Sequence, residues 1–210
     1  WKNTARERFE KLAGDGKGSA ETEAFAMDWR AEMFKIQRQV REGNLPWMNA
    51  DEMHFQALKK LKSVYPALEK IALRSLVEET WHNLNVFPGA AEGIRRLRST
   101  YTVVVLTILS WKSIVKSSKG AGVQWDGILS CEFLGYYKPS LQAYRRGVEL
   151  LGLEPREAMM VAAHEGDLAA ARKAGLRTAH VSVPEEDNVA GGFAAEKAGN
   201  FDVEAGDYEE

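Results

Sequence analysis

The segment that decides the fold spans residues 158–175 and reads AMMVAAHEGDLAAARKAG. Its opening run, Ala158–Ala163, is apolar and has the length of a buried β-strand, and the residues from Asp167 to Ala174 have the pattern of a helix that ends at Gly175. A buried strand that leads through a turn into a helix is the unit of parallel α/β sheets. The polar turn therefore lies at the carboxyl end of a strand, where such sheets bind ligands.

Strands and helices alternate around this segment over residues 85–210. The predicted strands are Tyr101–Ile108, Gly127–Cys131, Ala158–Ala163 and Thr178–Val183, with a last short strand at Phe201–Val203. The predicted helices are Pro88–Arg98, Trp111–Lys119, Ser140–Leu151 and Asp167–Ala174, and glycines 191, 192 and 199 mark a looser region. Because this alternation is typical of right-handed crossover connections, the predicted fold class is α/β with a parallel sheet.

The first part of the chain, residues 1–84, has helical patterns only. Trp29, Met33 and Ile36 recur at helical spacing on one face of a long helix, which Gly43 ends. Further helices follow Asp51, which can cap one of them, and Pro66. The sequence therefore predicts two domains, a helical module over residues 1–84 and an α/β core over residues 85–210.

Composition narrows the class of protein. The 210 residues carry a net charge of −2, which gives no electrostatic basis for binding nucleic acid or an anionic membrane. No apolar run approaches the ~20 residues that a membrane helix needs, and no signal peptide is visible, so a cytoplasmic location is expected. Cys131 is the single cysteine, which excludes an internal disulfide and a cysteine zinc cluster.

Polar residues follow three of the predicted strands. Thr107 lies at the end of the first strand and Ser110 follows it, Lys138 follows the second, and His164 and Asp167 follow the third. At neighbouring strand ends, these groups would surround one small anionic site, in which the ammonium neutralises a negative nucleophile or substrate. The carboxylate would hold the ammonium or orient water. Each residue also has a structural interpretation, above all Asp167 as a helix N-cap, but their joint placement favours function.

Two motifs resemble those of a known family. They are Lys138-Pro139-Ser140-x-x-x-Tyr144 and Val161-Ala162-Ala163-His164-x-x-Asp167-Leu168-x-x-Ala171-x-x-x-Gly175, which resemble the third and fourth motifs of the haloacid dehalogenase superfamily. The type II 2-haloacid dehalogenase-like branch is the most similar, with further matches at Trp125-Asp126-x-Ile128-Leu129-Ser130-x-Glu132, Trp29-Arg30 and Arg41-x-Gly43-x-Leu45-Pro46-Trp47. The resemblance covers nearly the whole chain. It implies a Rossmann-like core with a helical cap inserted after the first strand, which agrees with the helical residues 1–84.

The resemblance also implies a mechanism. In that family, an Asp on the first strand attacks the substrate carbon, displaces halide and forms an ester that water hydrolyses, without a metal or cofactor. By position, Thr107 would be the motif-two hydroxyl, Lys138 the cation beside the nucleophile, and Asp167 the acid that positions Lys138 or water. His164 stands where typical dehalogenases carry Asn, and we assign it to the catalytic group with these three residues.

Three further residues are assigned to substrate binding. Arg30 on the cap would hold the leaving halide or the substrate carboxylate, Tyr144 would lie near Lys138, and Ser110 would contribute its hydroxyl. The implied substrate is a small organic acid. Dehalogenases of this kind are often dimers, so a homodimer is an expectation of the resemblance, although no interface stripe stands out in the sequence.

The nucleophile of the family is the main departure. Its Asp-x-x-Gly-Thr segment is expected immediately before Trp1, and the printed sequence does not contain it. Asp15 and Asp28 do not follow a buried strand and are no substitutes. Without that strand, two inner strands would expose unpaired backbone at a gap in the sheet. We therefore expect the natural protein to be longer, and the chain as printed to be inactive in the covalent chemistry.

Three functions remain open at this point. Magnesium-dependent phosphatases of the superfamily place two acids in the fourth motif, four residues apart, whereas Ala163 stands four residues before Asp167. This favours a metal-free dehalogenase-type hydrolase over a phosphatase. Ile108 and Leu109 replace the Asn-Gly pair that helps to bind the carboxylate in dehalogenases, so the substrate is not expected to be a simple 2-haloacid. A non-catalytic relative that only binds a ligand is the third alternative.

Overall fold

The computed structural model describes residues 2–13, 19–183 and 200–208. The chain divides into two compact units, of which the first contains Trp1–Val86 and Leu109–Val123, and the second contains Phe87–Ile108 and Gln124–Glu210. The glycines at positions 191, 192 and 199, for which a looser region was predicted, lie outside the described residues. No helix in these described ranges has the length and apolar character needed to cross a membrane.

Helices and strands alternate along the second half of the chain, as predicted. The helices are α1 (Lys2–Ala13), α2 (Ser19–Arg41), α3 (Ala50–Leu61), α4 (Leu73–Trp81), α5 (Ala90–Arg98), α6 (Trp111–Gly120), α7 (Cys131–Leu134), α8 (Leu141–Leu150) and α9 (Glu165–Ala174). The strands are β1 (Val104–Thr107), β2 (Gly127–Ser130), β3 (Met159–Ala162), β4 (Arg177–Val181) and β5 (Val203–Ala205). Short 3₁₀ helices cover Pro66–Lys70 and Pro155–Glu157.

Aromatic rings form the centre of the first unit. Phe9 stacks on Phe25 with ring centroids 4.0 Å apart, and Trp29 contacts Trp81 edge to face at 6.1 Å. The Nε1 of the buried Trp29 donates a hydrogen bond to the backbone carbonyl of His54 at 3.1 Å, so this indole keeps a polar partner inside the core. The apolar stripe predicted on α2 is therefore its buried face.

Helix α6 belongs to the first unit, although it follows β1 and was predicted within the core. The Ser110 hydroxyl donates to Asp51 Oδ2 at 2.7 Å, and the Ser113 hydroxyl donates to Asp51 Oδ1 at 2.9 Å. The Lys112 ammonium also binds the Glu78 carboxylate. Because one carboxylate at the start of α3 holds the first turn of α6, this helix groups with the helical unit. The division into compact units therefore places residues 85–86 and 109–123 in the first unit, whereas the sequence predicted them within the core at residues 85–210.

The second unit contains parallel sheets, which confirms the predicted α/β class. Strand β1 pairs with β2, with Thr107 opposite Ser130, and β4 pairs with both β3 and β5. All of these pairings are parallel. The described strands form two sheets, ordered β1-β2 and β3-β4-β5, so β1 and β3 are each an edge strand.

Helices α8 and α9 supply the core of the second unit. Tyr144 and Val148 of α8 pack with Ala171 and Ala174 of α9, and Leu176, at the entry to β4, completes this buried cluster. Partly buried residues of β1 and β3 lie against it. The helix that contains Tyr144 and the helix that begins near Asp167 are therefore held together by an apolar contact.

Strands β1 and β5 begin later than predicted, and an aspartate side chain adds a hydrogen bond next to the start of each. Strand β1 begins at Val104, and the N–H of Val103 before it donates to Asp126 Oδ2 at 2.8 Å. Strand β5 covers Val203–Ala205 instead of residues 201–203, and Asp202 Oδ2 before it accepts the N–H of Thr178 at 2.7 Å. In both places an aspartate side chain takes a hydrogen bond at the amino end of the ladder.

The start of α9 corrects one structural interpretation. The N-cap of α9 is His164, and Asp167 lies inside the first turn, so Asp167 is not the helix cap. The helix ends as predicted at Gly175, whose φ of +102° lies in the left-handed region that favours glycine. A Cβ added there would also lie 3.1 Å from Cβ of Pro155, so both the backbone conformation and this tight contact favour glycine.

Candidate active site

The turn between β3 and α9 places Asp167 inside the protein. The carbonyl of His164 accepts the N–H of Asp167 at 3.0 Å and that of Leu168 at 3.2 Å, which closes the first turn of the helix. Asp167 is 4% exposed. The amino end of a helix favours negative charge, but a buried carboxylate also needs hydrogen-bonding partners.

Lys138 and Tyr144 are those partners. The Lys138 ammonium lies 2.7 Å from Asp167 Oδ2, with side-chain exposures of 9% and 6%. The hydroxyl of the fully buried Tyr144 donates a short hydrogen bond to Asp167 Oδ1. Each carboxylate oxygen thus has a donor, which is what a buried ion pair requires to be tolerated. We refer to Lys138, Tyr144 and Asp167 as the Lys–Tyr–Asp cluster.

Each member of the cluster comes from a different element. Lys138 lies in the connection between α7 and α8, Tyr144 lies in α8, and Asp167 lies in α9. Burial and the neighbouring charge of Asp167 raise the pKa of the Tyr144 phenol well above its usual range, so Tyr144 stays a hydrogen-bond donor at neutral pH. The Lys138 ammonium is therefore paired with the Asp167 carboxylate, which also accepts a hydrogen bond from the neutral hydroxyl of Tyr144.

Cys131 is a further ionisable group beside the cluster, and no sequence motif marks it as a site residue. It is fully buried, and burial raises the pKa of its thiol while the charge of Lys138 opposes that shift. Cys131 directly follows Ser130, the last residue of β2. Its position at the carboxyl end of a strand is therefore the sequence signal that indicates it.

Thr107 and His164 also lie at strand ends in the second unit. Thr107 is the last residue of β1, and its register partner Ser130 accepts the N–H of Glu132 as the N-cap of α7. His164 is the N-cap of α9, three residues before Asp167. The catalytic residues proposed from the sequence all belong to this unit, and direct contacts join two of them, Lys138 and Asp167.

The two remaining predicted residues belong to the first unit. Arg30 lies in α2, with its guanidinium carbon 5.4 Å from the ring centroid of Phe34, a cation–π contact. Ser110 is 1% exposed, and its hydroxyl donates to Asp51 and accepts the N–H of Ser113 at 3.1 Å. The structure thus gives the Ser110 hydroxyl a helix-capping role. Substrate contacts of Arg30 and Ser110 stay predictions.

The carboxylate of the Lys–Tyr–Asp cluster is paired with a lysine. Over residues 2–13, 19–183 and 200–208, no three His, Cys, Asp or Glu side chains form a group that could hold a metal ion. Ala163, four residues before Asp167, has no ligand atom in its side chain. A divalent cation bound at Asp167 would also be repelled by the Lys138 ammonium, which lies 2.7 Å from the same carboxylate.

Comparison with known proteins identifies the family. The family model of haloacid dehalogenase-like hydrolases matches residues 4–175. The chain therefore belongs to the haloacid dehalogenase-like hydrolases, as the motifs around Lys138 and Asp167 indicate. A comparison with curated proteins found no match.

Solved structures of dehalogenases have the same architecture. The L-2-haloacid dehalogenase PA0810 is 31% identical with a TM-score of 0.86, over 99% of this chain and 89% of that chain. The defluorinating L-2-haloacid dehalogenase Rha0230 is 28% identical with a TM-score of 0.86, over 100% of this chain and 86% of that chain. The L-2-haloacid dehalogenase of Xanthobacter autotrophicus is 18% identical with a TM-score of 0.78, over 98% and 89% of the two chains, and shows the shared fold.

Proposed function

We propose that the protein is a hydrolase of the L-2-haloacid dehalogenase type, which replaces the halogen of a small 2-halogenated acid by a hydroxyl group. The observation that carries this proposal is the buried Lys–Tyr–Asp cluster, with Lys138 and Asp167 in contact at 2.7 Å. The similarity to dehalogenases at 31% and 28% identity supports it.

The proposed reaction has two steps. A carboxylate oxygen attacks the carbon that bears the halogen, the carbon–halogen bond breaks, and halide leaves with the bonding pair. Water then attacks the ester carbonyl, which releases the 2-hydroxy acid, a proton and the free carboxylate. The resemblance implies that the nucleophile is the Asp of an Asp-x-x-Gly-Thr segment, and the test below establishes whether the natural protein carries one.

The described residues would then have the following roles. Lys138 lowers the energy of the negatively charged nucleophile and of the developing oxyanion, because its charge is held in a buried setting. Asp167 keeps Lys138 in place, and Tyr144 keeps Asp167 in place. Thr107 and His164 complete the proposed catalytic group, and Arg30 is the proposed cap residue for the halide or the carboxylate.

Metal independence is part of the proposal. The side chain of Ala163 offers no ligand, and both oxygens of Asp167 already accept hydrogen bonds.

Ile108 and Leu109 replace the Asn-Gly pair of typical dehalogenases, so we propose a substrate that differs from the simplest 2-haloacids. A homodimer is a further proposal, which light scattering of the purified protein tests, and a cytosolic location is another, which cell fractionation tests.

The test is halide release. Intact mass and N-terminal sequencing of the natural protein first establish whether an Asp-x-x-Gly-Thr segment precedes Trp1. That protein is then assayed with 2-chloro and 2-fluoro acids of increasing side-chain length, with and without EDTA, beside the 210-residue chain as the matched control. We expect halide release that EDTA does not change, and none from the 210-residue chain.

Other outcomes would overturn the proposal. Loss of activity in EDTA, together with phosphate release from phosphomonoesters, would identify a phosphatase. Absence of both halide and phosphate release from the natural protein would identify a non-catalytic member of the family.

A further inference from the structure

The side chain of His180 contacts the backbone of the turn that holds Asp167. Its Nε2 lies 3.1 Å from the carbonyl oxygen of Ala163, the residue immediately before His164. Because a carbonyl oxygen only accepts hydrogen bonds, the Nε2 atom must carry the proton, and this selects the tautomer of the neutral ring. None of the sequence motifs selected His180.

This hydrogen bond lies just beyond the end of a strand pairing. The β3–β4 ladder ends with Ala162 opposite His180, so Ala163, the residue after β3, lies beyond the last backbone pair. The imidazole of His180 then takes over as donor to the Ala163 carbonyl. The carbonyl of the peptide that leads into the N-cap of α9 thus has a hydrogen-bond donor in a side chain of β4.

The ring of His180 is itself held in place. It stacks on Phe201, with ring centroids 4.8 Å apart and planes 18° from parallel. The next residue, Asp202, is fastened to β4, because its N–H donates to the carbonyl of Thr178 at 2.9 Å and its carboxylate accepts the N–H of Thr178. Phe201, which precedes β5, therefore packs against the His180 ring, and this ring donates a hydrogen bond to the turn before α9.

We propose that His180 is a positioning residue of the active site. It holds the carbonyl of Ala163 so that His164 and Asp167 keep the orientation in which Asp167 meets Lys138. The proposal rests on the proposed hydrolase function for its kinetic consequence. The claim that His180 holds the turn depends only on the contact between His180 and Ala163. His180 itself touches no reacting group in this scheme, so its replacement changes the rate through geometry.

Two replacements separate the hydrogen bond from the ring. His180→Phe keeps an aromatic ring against Phe201 and removes the donor, whereas His180→Gln keeps an N–H donor and removes the ring. We expect a fall in kcat of about tenfold for His180→Phe with KM within about twofold, and recovery to within about threefold of the parent for His180→Gln. His82→Phe, at a half-buried histidine of the first unit, is the matched control and should leave kcat unchanged.

Nuclear magnetic resonance gives a readout that does not depend on activity. In the parent protein, the ring of His180 should be protonated at Nε2 when neutral. In His180→Phe, the backbone amide signals of His164 and Asp167 should shift and their hydrogen exchange should accelerate, and His180→Gln should reverse most of this. Unchanged amide signals in His180→Phe, or a ring protonated at Nδ1 in the parent, would overturn the proposal.

The two proposals fail in different ways. If the parent protein releases no halide while the tautomer and the amide signals behave as expected, the dehalogenase function is wrong and the positioning role stands. If both variants lose kcat and thermal stability in proportion, with no recovery in His180→Gln, His180 contributes only to folding and the positioning role is refuted.

Discussion

The ammonium of Lys138 and the carboxylate of Asp167 form a 2.7 Å ion pair between two buried side chains. The pair joins the connection before α8 to the first turn of α9, across 29 positions of sequence. A buried charge that loses its partner is strongly destabilising, so neither residue can be removed alone without a large cost. The pair is therefore both a feature of folding stability and the candidate source of charge in the active site.

Replacement of Lys138 by Met should destabilise the fold and abolish turnover. The variant leaves Asp167 buried without its cation, which costs about 3–5 kcal/mol in the free energy of unfolding at neutral pH. Urea denaturation followed by circular dichroism measures this cost. The double variant Lys138→Met with Asp167→Asn should recover a large part of it, because the isolated charge is gone.

The exposed pair of Lys112 and Glu78 is the control for this experiment. Both side chains are about half exposed, at 52% and 51%, so Lys112→Met should cost only about 0–1 kcal/mol. Equal losses in the two lysine variants would contradict the assigned importance of burial. A rate of halide release in Lys138→Met equal to that of the parent would refute the catalytic role.

Replacement of Tyr144 by Phe should lower stability without changing the packing of α8. The variant keeps the buried ring and removes the hydroxyl that donates to Asp167. A hydrogen bond to a charged group contributes about 1.5–3 kcal/mol, and this is the expected loss in the free energy of unfolding. Tyr101→Phe, at a tyrosine that is 65% exposed, should change stability by less than about 0.5 kcal/mol. A loss no larger than that of Tyr101→Phe would count against the hydrogen bond.

His54 should make the protein less stable in mild acid. Burial lowers the pKa of His54 to about 3, whereas the unfolded chain binds the proton at a pKa of about 6.5. Protons therefore bind the unfolded state preferentially between these values. The contribution of this group falls as the pH falls from about 6.5 toward about 3, by up to about 1.4 kcal/mol per pH unit.

His54→Phe tests this acid sensitivity. The phenyl ring can replace the imidazole that stacks on Trp81 at 4.2 Å, and the buried Nδ1 has no hydrogen-bond partner among the described residues. Between pH 7 and pH 5, the variant should lose less stability than the parent, as measured by denaturation at each pH. If the free energy of unfolding depends on pH in the same way in both proteins, the pKa of His54 is not lowered by folding and this prediction is wrong.

Gly93 should be intolerant of a side chain. A Cβ added there would lie 2.6 Å from the carbonyl oxygen of Tyr208, so Gly93→Ala must displace the backbone near the end of the described chain. Overpacking of this kind costs about 1–3 kcal/mol. Gly120→Ala in α6 is the matched control, because nothing lies within 4 Å of its added Cβ, and it should raise stability by up to about 1 kcal/mol. Thermal denaturation that ranks the two variants in the opposite order would contradict this contact.

Local sequence patterns predicted much of the secondary structure of this protein and indicated its family. Helical spacing marked the buried face of α2, and the alternation of strands with helices predicted the parallel sheets of the second unit. The motifs around Lys138 and Asp167 indicated the family, because each motif is a short run whose spacing reflects one turn or one helix. Such features arise from interactions between residues close in sequence, so the sequence alone determines them.

Tertiary structure decided what depends on distant partners. The contacts of Asp51 with Ser110 and Ser113 span 59 and 62 positions, and they move α6 into the helical unit against its place in the chain. The side chain of Asp167 turned out to serve Lys138 and Tyr144 instead of capping its helix. A hydrogen bond of this kind forms only when folding brings donor and acceptor close together. Local sequence patterns do not predict such contacts, because the two residues are far apart in the chain.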